Sequence, residues 1–189
     1  IRIRLRIKSG NQDICFQQLM TEEASLMLTY ETTELRLQAP PNLVKKTFIS
    51  TDRLVPVCTP SLANELKHIP PGQAFIPLIA SPSNIFLGQV VRPTILVHSR
   101  HIFSKKLIAG MTSVCAAAAK TGIGITWLPA SAIKNELRKQ ELVVIEDLGF
   151  LGVDLEISML QLRTKKMQKN RELWSTLAEA MSEVVNDQN

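Results

Sequence analysis

The chain has 189 residues, which is long enough to bury a hydrophobic core in one domain or in two small ones. Its 45% hydrophobic and 21% charged residues exclude an intrinsically disordered chain, and no apolar run approaches the roughly 18 residues of a membrane helix. The net charge of +5 is compatible with nucleic-acid binding, but the basic residues are scattered, which favours the solvated surface of a mildly basic protein.

The first part of the chain predicts two strands, a helix and a long extended segment. Residues 1–7 alternate aliphatic residues with arginines, which indicates a strand with one buried face. Asn11 is predicted to cap the helix that follows. An apolar strand over 25–30 ends at the polar sequence 31–34. The segment 47–59 is apolar at both ends and polar in the middle, as expected of a strand that leaves one sheet and enters another.

The middle of the chain alternates short helices with short extended segments. Helices are predicted over 60–66 and 85–91, and extended segments over 75–79, 94–98 and 106–109.

The stretch 113–129 joins a helix to a strand and then to a second helix. An alanine-rich helix is predicted over 113–120, and Gly122 lies just past its end, where a positive φ is least costly without a Cβ. Gly124 is predicted to allow a close approach of helix and strand. Pro129 can begin the next helix because no backbone N–H is needed at that position.

The last part of the chain continues this alternation. Strands are predicted over 123–127 and 142–145, separated by a helix over 130–139 that carries basic residues in its later turns. A second long extended segment over 153–162 could return the chain to the first sheet. An amphipathic helix is predicted over 166–185.

The order of these elements predicts the fold class and the domains. Strands that alternate with helices indicate an α/β protein with parallel sheets. The two long extended segments indicate two lobes that share a hinge. Lobe one is predicted to comprise residues 1–52 and 154–189, and lobe two residues 53–153.

The sequence contains no recognisable catalytic motif. It has no nucleophile elbow, no P-loop and no complete dinucleotide fingerprint. The histidines are His68, His98 and His101; the last two lie three residues apart without a nearby acidic residue or cysteine, so exposed polar residues are the preferred interpretation. We therefore expect a protein that is not an enzyme and that needs no metal or cofactor.

The cysteines indicate a reduced environment. Cys15, Cys58 and Cys115 lie far apart without a C-x-x-C pair, which argues against a disulfide framework and against a zinc site. A cytoplasmic protein is the natural inference, with a redox-sensing thiol pair as an alternative. The methionines offer a second redox alternative at Met111, whereas Met27 and Met181 are better explained as core residues.

Four polar turns follow predicted strands or precede predicted helices, over 9–11, 30–32, 81–84 and 110–113. Ligands of open α/β sheets bind outside the carboxyl ends of strands, where helix N-termini also present free N–H groups. The sign of the ligand's charge stays open, because Glu31 favours a cation and helix N-termini favour an anion.

Six motifs, in this order and spacing, resemble the effector-binding domain of LysR-type transcriptional regulators. They are G-N-x-x…L at 10–19, L-T-Y at 28–30, D-x-L-V-P-V-C-T-P at 52–60, P-L-I-A-S-P-S-N-x-F-L-G at 77–88, G-I-G-I-T-W-L-P at 122–129 and E-L-x-x-x-x-L-V-V-I at 136–145.

The resemblance implies a fold similar to the type II periplasmic binding proteins, with two Rossmann-like lobes joined by two crossing strands. It implies a small-molecule effector between the lobes, a cytoplasmic homodimer or homotetramer, and operator DNA bound by a winged helix-turn-helix. We expect this chain to lack that DNA-binding domain and the first strand and helix of lobe one. The effector site implied by the resemblance comprises Asn11, Tyr30, Glu31, Ser81, Ser83, Asn84, Met111, Thr112 and Thr126.

Two alternatives of the same architecture stay open at this point. The first is a stand-alone solute-binding protein, which would normally carry a secretory signal or a lipid anchor. The second is an enzyme of binding-protein-like fold. In the family that this sequence resembles, a helix and a strand of one lobe pack against the other lobe of a partner subunit. The helices predicted over 11–22 and 130–139 are the candidates for that contact.

Overall fold

Two long antiparallel strands run through the centre of the fold. β2 (Val44–Cys58) and β7 (Val153–Leu162) pair so that the first residue of β2 lies opposite the last residue of β7. The extended segments predicted over 47–59 and 153–162 are thereby confirmed. β2 continues beyond β7, and its last residues pair with two further strands of the same sheet. A single strand therefore runs through the whole sheet.

The structure is a computed structural model. The residues that it describes are 6–70, 72–96, 99–164 and 175–176. The strand predicted over 1–7 and the helix predicted over 166–185 lie almost entirely outside the described residues.

The remaining elements are short. The strands are β1 (Met27–Glu31), β3 (Phe75–Ala80), β4 (Ile102–Ile108), β5 (Thr126–Pro129) and β6 (Val143–Val144), and the helices are α1 (Gln12–Met20), α2 (Pro60–Leu66), α3 (Phe86–Val91), α4 (Thr112–Lys120) and α5 (Lys134–Arg138). None of the described helices is long and apolar enough to cross a membrane. The helices predicted over 60–66, 85–91 and 113–120 are confirmed to within one residue at each end.

The sheets are only partly parallel. β1, β7, β2 and β5 form one antiparallel series in that order, and β6 also pairs with β2. β3 and β4 are parallel, and Ile125 extends this parallel set through a bridge to Leu78. The prediction of parallel sheets is therefore wrong for the larger sheet. There β7 brings the chain back alongside β2 in the opposite direction, without the crossover that parallel neighbours need.

Buried apolar residues form three clusters along β2. One lies at the N-terminal end of β2 and comprises Leu19, Met27, Val44 and Leu160. The other two lie around the C-terminal half of β2; one contains Leu54, Cys58 and Trp127, and the other contains Val55 and Val57. These clusters place separate hydrophobic cores at the two ends of β2, as a two-lobed protein requires.

Two local predictions need correction. The extended segment predicted over 94–98 is wrong, because α3 runs on into a π-helical turn, Arg92–Leu96. Pro93 has no backbone N–H and cannot continue the α-helical hydrogen-bond ladder at this point. The helix predicted over 130–139 is split into a 3₁₀ turn, Ala130–Ile133, followed by α5.

Two glycines after α4 have the special geometry that the sequence suggested. Gly122 has a φ of +78°, as predicted for the position past a helix end. Gly124 does allow a close approach, but its neighbour is β3, since an added Cβ would lie 2.6 Å from the carbonyl oxygen of Pro77. The first residues of the strand predicted over 123–127 thus pass tightly beside β3 before β5 begins.

Candidate functional site

Two of the predicted polar turns line one cleft of ≈ 780 Å³. Asn11 contributes from one side, before α1, and Met111 and Thr112 contribute from the other, at the start of α4. The other lining residues are Ser9, Gly10, Gly110, Ser113, Ala116, Ala117, Lys120, Ala132 and Glu136. The cleft therefore joins segments about a hundred residues apart in sequence, and its volume is within the range typical of small-molecule sites.

The Asn11 side of the cleft is held in place by its neighbour. The backbone carbonyl of Asn11 accepts a hydrogen bond of 2.9 Å from Cys15 N, as expected at a helix start. Its side chain makes no capping hydrogen bond, contrary to the prediction, so the amide is not used by the helix. Gln12, which sequence reasoning missed, donates from Nε2 to Thr29 Oγ1 at 2.7 Å and to Tyr30 O at 3.2 Å. These bonds attach the start of α1 to β1.

The turn over 81–84 lies next to the opposite side of the cleft. β3 and β4 end together, since Ala109 N donates to Ala80 O at 3.0 Å. A Cβ on Gly110 would lie 3.8 Å from Pro82 Cγ, which places the two turns in contact. Ser83 and Asn84 are exposed on this turn.

Ser81 and Thr126 face a different, smaller cavity. This cavity of ≈ 20 Å³ has room for about one water molecule and is also lined by Gly88 and Arg92. Thr126 is almost completely buried, and its side chain is hydrogen-bonded to the thiol of Cys115. The structure therefore places Thr126 behind the cleft rather than in its lining.

Glu31 is placed inside the protein, away from the cleft. Its side chain is 0% exposed and forms an ion pair with Lys46 on β2. Ser158 Oγ on β7 donates to Glu31 Oε2 at 2.9 Å, and Leu37 N donates to Oε1 at 2.8 Å. Glu31 was one of two groups that the sequence left open as setting the ligand's charge; the structure buries its carboxylate, which joins three strands to the loop after β1. Thr32 is buried beside it.

Tyr30 points the opposite way and meets residues from three other segments. Its ring stacks on Phe86 of α3, with centroids 6.5 Å apart. Its hydroxyl donates to Asp52 Oδ2 at 2.9 Å, and Ser131 Oγ donates to the same oxygen at 2.6 Å. Burial raises the pKa of Tyr30 to about 12, so the phenol keeps its proton.

Asp52 and Ser131 were missed by the sequence reasoning. Asp52 lies in the polar middle of the segment predicted to cross between lobes, and that unexplained polarity was the available signal. Ser131 follows β5 and also donates from its backbone N to Asp52 Oδ1 at 3.2 Å. Asp52 therefore collects three hydrogen bonds from two distant segments.

The charged side chains of the cleft are paired with each other or with neighbours. Lys120 Nζ lies 3.7 Å from Glu136 Oε1 and 3.2 Å from Glu141 Oε2. The hydrogen bond to Glu141 is the largest cause that raises the pKa of Lys120. What the cleft offers a ligand is consequently hydroxyl groups, the Asn11 amide, the Met111 thioether and the free N–H groups at the start of α4.

The remaining candidate groups do not form a reactive centre among the described residues. No group of three or more His, Cys, Asp or Glu residues there could hold a metal ion. Cys15, Cys58 and Cys115 are unpaired, and burial raises the pKa of the Cys58 thiol to about 12 and also raises that of Cys115. A buried thiol that stays protonated is a poor redox nucleophile. The expectation of an exposed residue is wrong for His101, which is partly buried because its ring stacks on Phe150, and His98 lies outside the described residues.

Comparison with known proteins gives one family and several relatives. A family model described as the LysR substrate binding domain matches residues 2–182. The HTH-type transcriptional regulator YjiE of Escherichia coli (strain K12) is 25% identical over 174 residues, which cover 92% of this chain and 55% of YjiE. The HTH domain-truncated transcriptional regulator QseD of Escherichia coli O157:H7 is 24% identical over 173 residues, covering 92% of this chain and 69% of QseD.

A solved structure shows the same fold. Full-length HypT from Salmonella typhimurium, described as a hypochlorite-specific LysR-type transcriptional regulator, superposes with a TM-score of 0.74 and 22% identity. The matched region covers 94% of this chain and 58% of HypT. The chain thus spans just over half the length of YjiE and of full-length HypT.

Proposed function

Because this chain belongs to the LysR substrate binding domain family, we propose that it is the effector-sensing and oligomerisation domain of a LysR-type transcriptional regulator. A small molecule bound in the cleft between two lobes would control how the whole protein binds operator DNA through a separate winged helix-turn-helix. The proposed assembly is a cytoplasmic homodimer or homotetramer. The family match favours this function over a stand-alone solute-binding protein, and the family is one of regulatory domains rather than of enzymes.

The two lobes that we propose are residues 1–52 with 154–189, and residues 53–153. The separate apolar clusters at the two ends of β2 support this division. The observation that carries the proposal is the cleft itself, whose walls come from the turn over 9–11 in lobe one and the turn over 110–113 in lobe two.

A ligand in such a cleft acts through differential affinity. It shifts the balance between two arrangements of the lobes only as far as it binds one arrangement more tightly than the other. A cleft whose two walls belong to different lobes meets that requirement, because moving one lobe separates Asn11 from Thr112 and changes the contacts available to the ligand.

The chemistry of the cleft favours a small polar ligand with an anionic or hydrogen-bond-accepting group. Lys120 is paired with both Glu136 and Glu141 at one end of α4. At the other end, Thr112 and Ser113 present hydroxyl groups beside the backbone N–H groups of the first turn of the helix. Those N–H groups carry the partial positive charge of the helix dipole.

A screen followed by substitution tests this function. Small metabolites that raise the melting temperature of the domain are identified by thermal shift and confirmed by calorimetry. We expect Thr112→Trp to weaken binding of a confirmed ligand tenfold or more, about 1.4 kcal/mol, because the indole fills the cleft. Ser83→Trp tests in the same way whether the neighbouring turn belongs to the site.

The matched control is Thr33→Trp, which adds the same ring at an exposed position of the loop after β1. It should leave both the melting temperature and the affinity unchanged. Unchanged affinity in the Thr112→Trp protein, with its fold intact, would contradict the placement of the site.

A second candidate function is the sensing of an oxidant. The full-length HypT structure is described as that of a hypochlorite-specific regulator. At the cleft of the present chain, Met111 is 66% exposed, whereas Met27 and Met159 are 5% and 2% exposed. Oxidation would turn the Met111 thioether into a polar sulfoxide at the start of α4.

We expect a stoichiometric amount of hypochlorite to oxidise Met111 before the buried methionines, measured as the mass gain of one oxygen on its peptide. The oxidised protein should also show faster amide hydrogen exchange in α4, and the Met111→Leu variant should not. Equal exchange in oxidised Met111 and Met111→Leu proteins would contradict an oxidant sensor, even if Met111 reacts first.

A further inference from the structure

Tyr30 is one of the residues through which the proposed lobe one reaches the core of the proposed lobe two. It belongs to β1, yet it packs against the apolar cluster that contains Leu54 and Trp127. Its ring also stacks on Phe86 at an interplanar angle of 18°. Tyr30 is therefore partly buried by residues from the other side of the cleft.

The hydroxyl end of Tyr30 is held by a carboxylate at the crossing point. Asp52 lies opposite Leu155, where β2 and β7 pass from one apolar cluster towards the others. Its Oδ2 accepts from Tyr30 at 2.9 Å and from Ser131 at 2.6 Å. We refer to Tyr30, Asp52 and Ser131 together as the hinge joint, because they come from β1, the crossing strand and the turn after β5.

The hinge joint is connected to the cleft by packing. Phe86 is the first residue of α3, which follows the turn over 81–84. Gly88 in α3 lies so close to this turn that an added Cβ would be 1.9 Å from Pro82 O. Pro82 in turn adjoins Gly110 at the cleft. A displacement of the turn by a ligand therefore reaches Tyr30 through Phe86.

We propose that the hinge joint sets the angle between the two lobes. Ser131 of lobe two donates to Asp52 of lobe one in one lobe arrangement and not in the other, and the hydroxyl of Tyr30 holds the Asp52 carboxylate in place for that bond. This inference rests on the proposed function, since it assumes two lobes that move about the cleft. Tyr30, Asp52 and Ser131 act as positioning residues: they lie outside the lining of the cleft and bias the equilibrium on which an effector acts.

The experiment measures the lobe arrangement directly and needs no effector. Spin labels are attached to cysteines introduced at Gln17 on α1 and Lys105 on β4, both exposed, in a Cys15→Ala background. Cys58 and Cys115 are buried and stay unlabelled. The labelled chain is diluted into unlabelled protein, so that pulsed electron paramagnetic resonance reports the distance between the two labels of one chain.

We expect one narrow distance distribution for the parent protein. Tyr30→Phe keeps the ring on Phe86 and removes only the hydroxyl, and Ser131→Ala removes the second donor to Asp52. Each should change the ratio of two lobe arrangements by about two- to tenfold, the range for the loss of one hydrogen bond. A second or broadened distance distribution is the expected result in both variants.

The matched control is Thr29→Val, which removes the 2.7 Å bond from Gln12 within lobe one and lies next to Tyr30 in β1. It should lower the melting temperature without altering the distance distribution. If both hinge-joint variants fold and give the same distance distribution as the parent protein, the inference is overturned. The hinge joint would then be a structural cluster only. Failure of the ligand screen would not affect this result, so the two proposals fail separately.

Discussion

Replacing Gly88 with alanine is expected to destabilise the domain by about 3 kcal/mol or more, at the upper end for overpacked sites. The added Cβ would lie 1.9 Å from the carbonyl oxygen of Pro82 and 2.7 Å from its carbon. Both atoms belong to the backbone, so the clash cannot be relieved by a change of rotamer. Either α3 or the turn over 81–84 must move.

A movement of α3 disturbs the core as well. Val90 and Val91, two and three residues after Gly88, are 2% and 8% exposed and belong to the cluster around Leu54. The lost burial adds to the cost of the clash. The change is measured as a lower midpoint of urea denaturation, at an unchanged slope, in the Gly88→Ala protein.

Gly110→Ala is the matched control. Gly110 lies by the same turn, but its added Cβ would meet only side-chain atoms of Pro82 and Ile85, at 3.8 and 3.9 Å, which is ordinary contact. This substitution should change the stability by less than about 0.5 kcal/mol. Equal midpoints for Gly88→Ala and Gly110→Ala would show that the packing of α3 on the turn is looser than described.

Replacing Glu31 with alanine is the second substitution with a large expected effect. It removes the acceptor for Ser158 Oγ and Leu37 N and leaves the ammonium group of Lys46 without its partner. Breaking a buried ion pair by removing one member costs roughly 3–5 kcal/mol. Because the Lys46 side chain is 31% exposed and can turn towards water, we expect about 2–4 kcal/mol here.

The contribution of the charge can be separated from that of the hydrogen bonds. Glu31→Gln keeps an oxygen that can accept from Leu37 N and loses the ion pair, so its effect on the denaturation midpoint should be smaller than that of Glu31→Ala. Glu34→Ala, at an exposed position of the same loop, should be nearly neutral. An Ala variant at position 31 as stable as the parent protein would refute the structural role.

The fold class could be predicted because its signals are local. Periodicity and backbone chemistry are enough to predict the two long extended segments, the alanine-rich helix over 113–120 and the glycine after it. Each of these is present in the structure. The fold similar to type II periplasmic binding proteins is confirmed by the likeness to LysR regulatory domains. The turn at Arg92–Leu96 escaped prediction because an apolar run beside a proline has no distinctive period.

The site was predicted less well because side-chain direction depends on strand register. Tyr30 and Glu31 are adjacent in β1, and successive residues of a strand point to opposite faces. Tyr30 accordingly meets Asp52 near the cleft, while Glu31 meets Ser158 inside the sheet. The sequence predicted a turn over 30–32, whereas β1 extends through Glu31 and pairs with β7 to its end, so the two side chains lie on opposite faces of the strand.

The pairing of β2 with β7 also dictates an order of assembly during synthesis. The partners in this ladder are about a hundred residues apart in sequence, so closing it carries a large entropic cost. The strands β3, β4 and β5 and the second half of β2 all leave the ribosome before β7 does. The core around Leu54 can therefore begin to form early, whereas the core around Val44 and Leu160 has to wait for the returning strand.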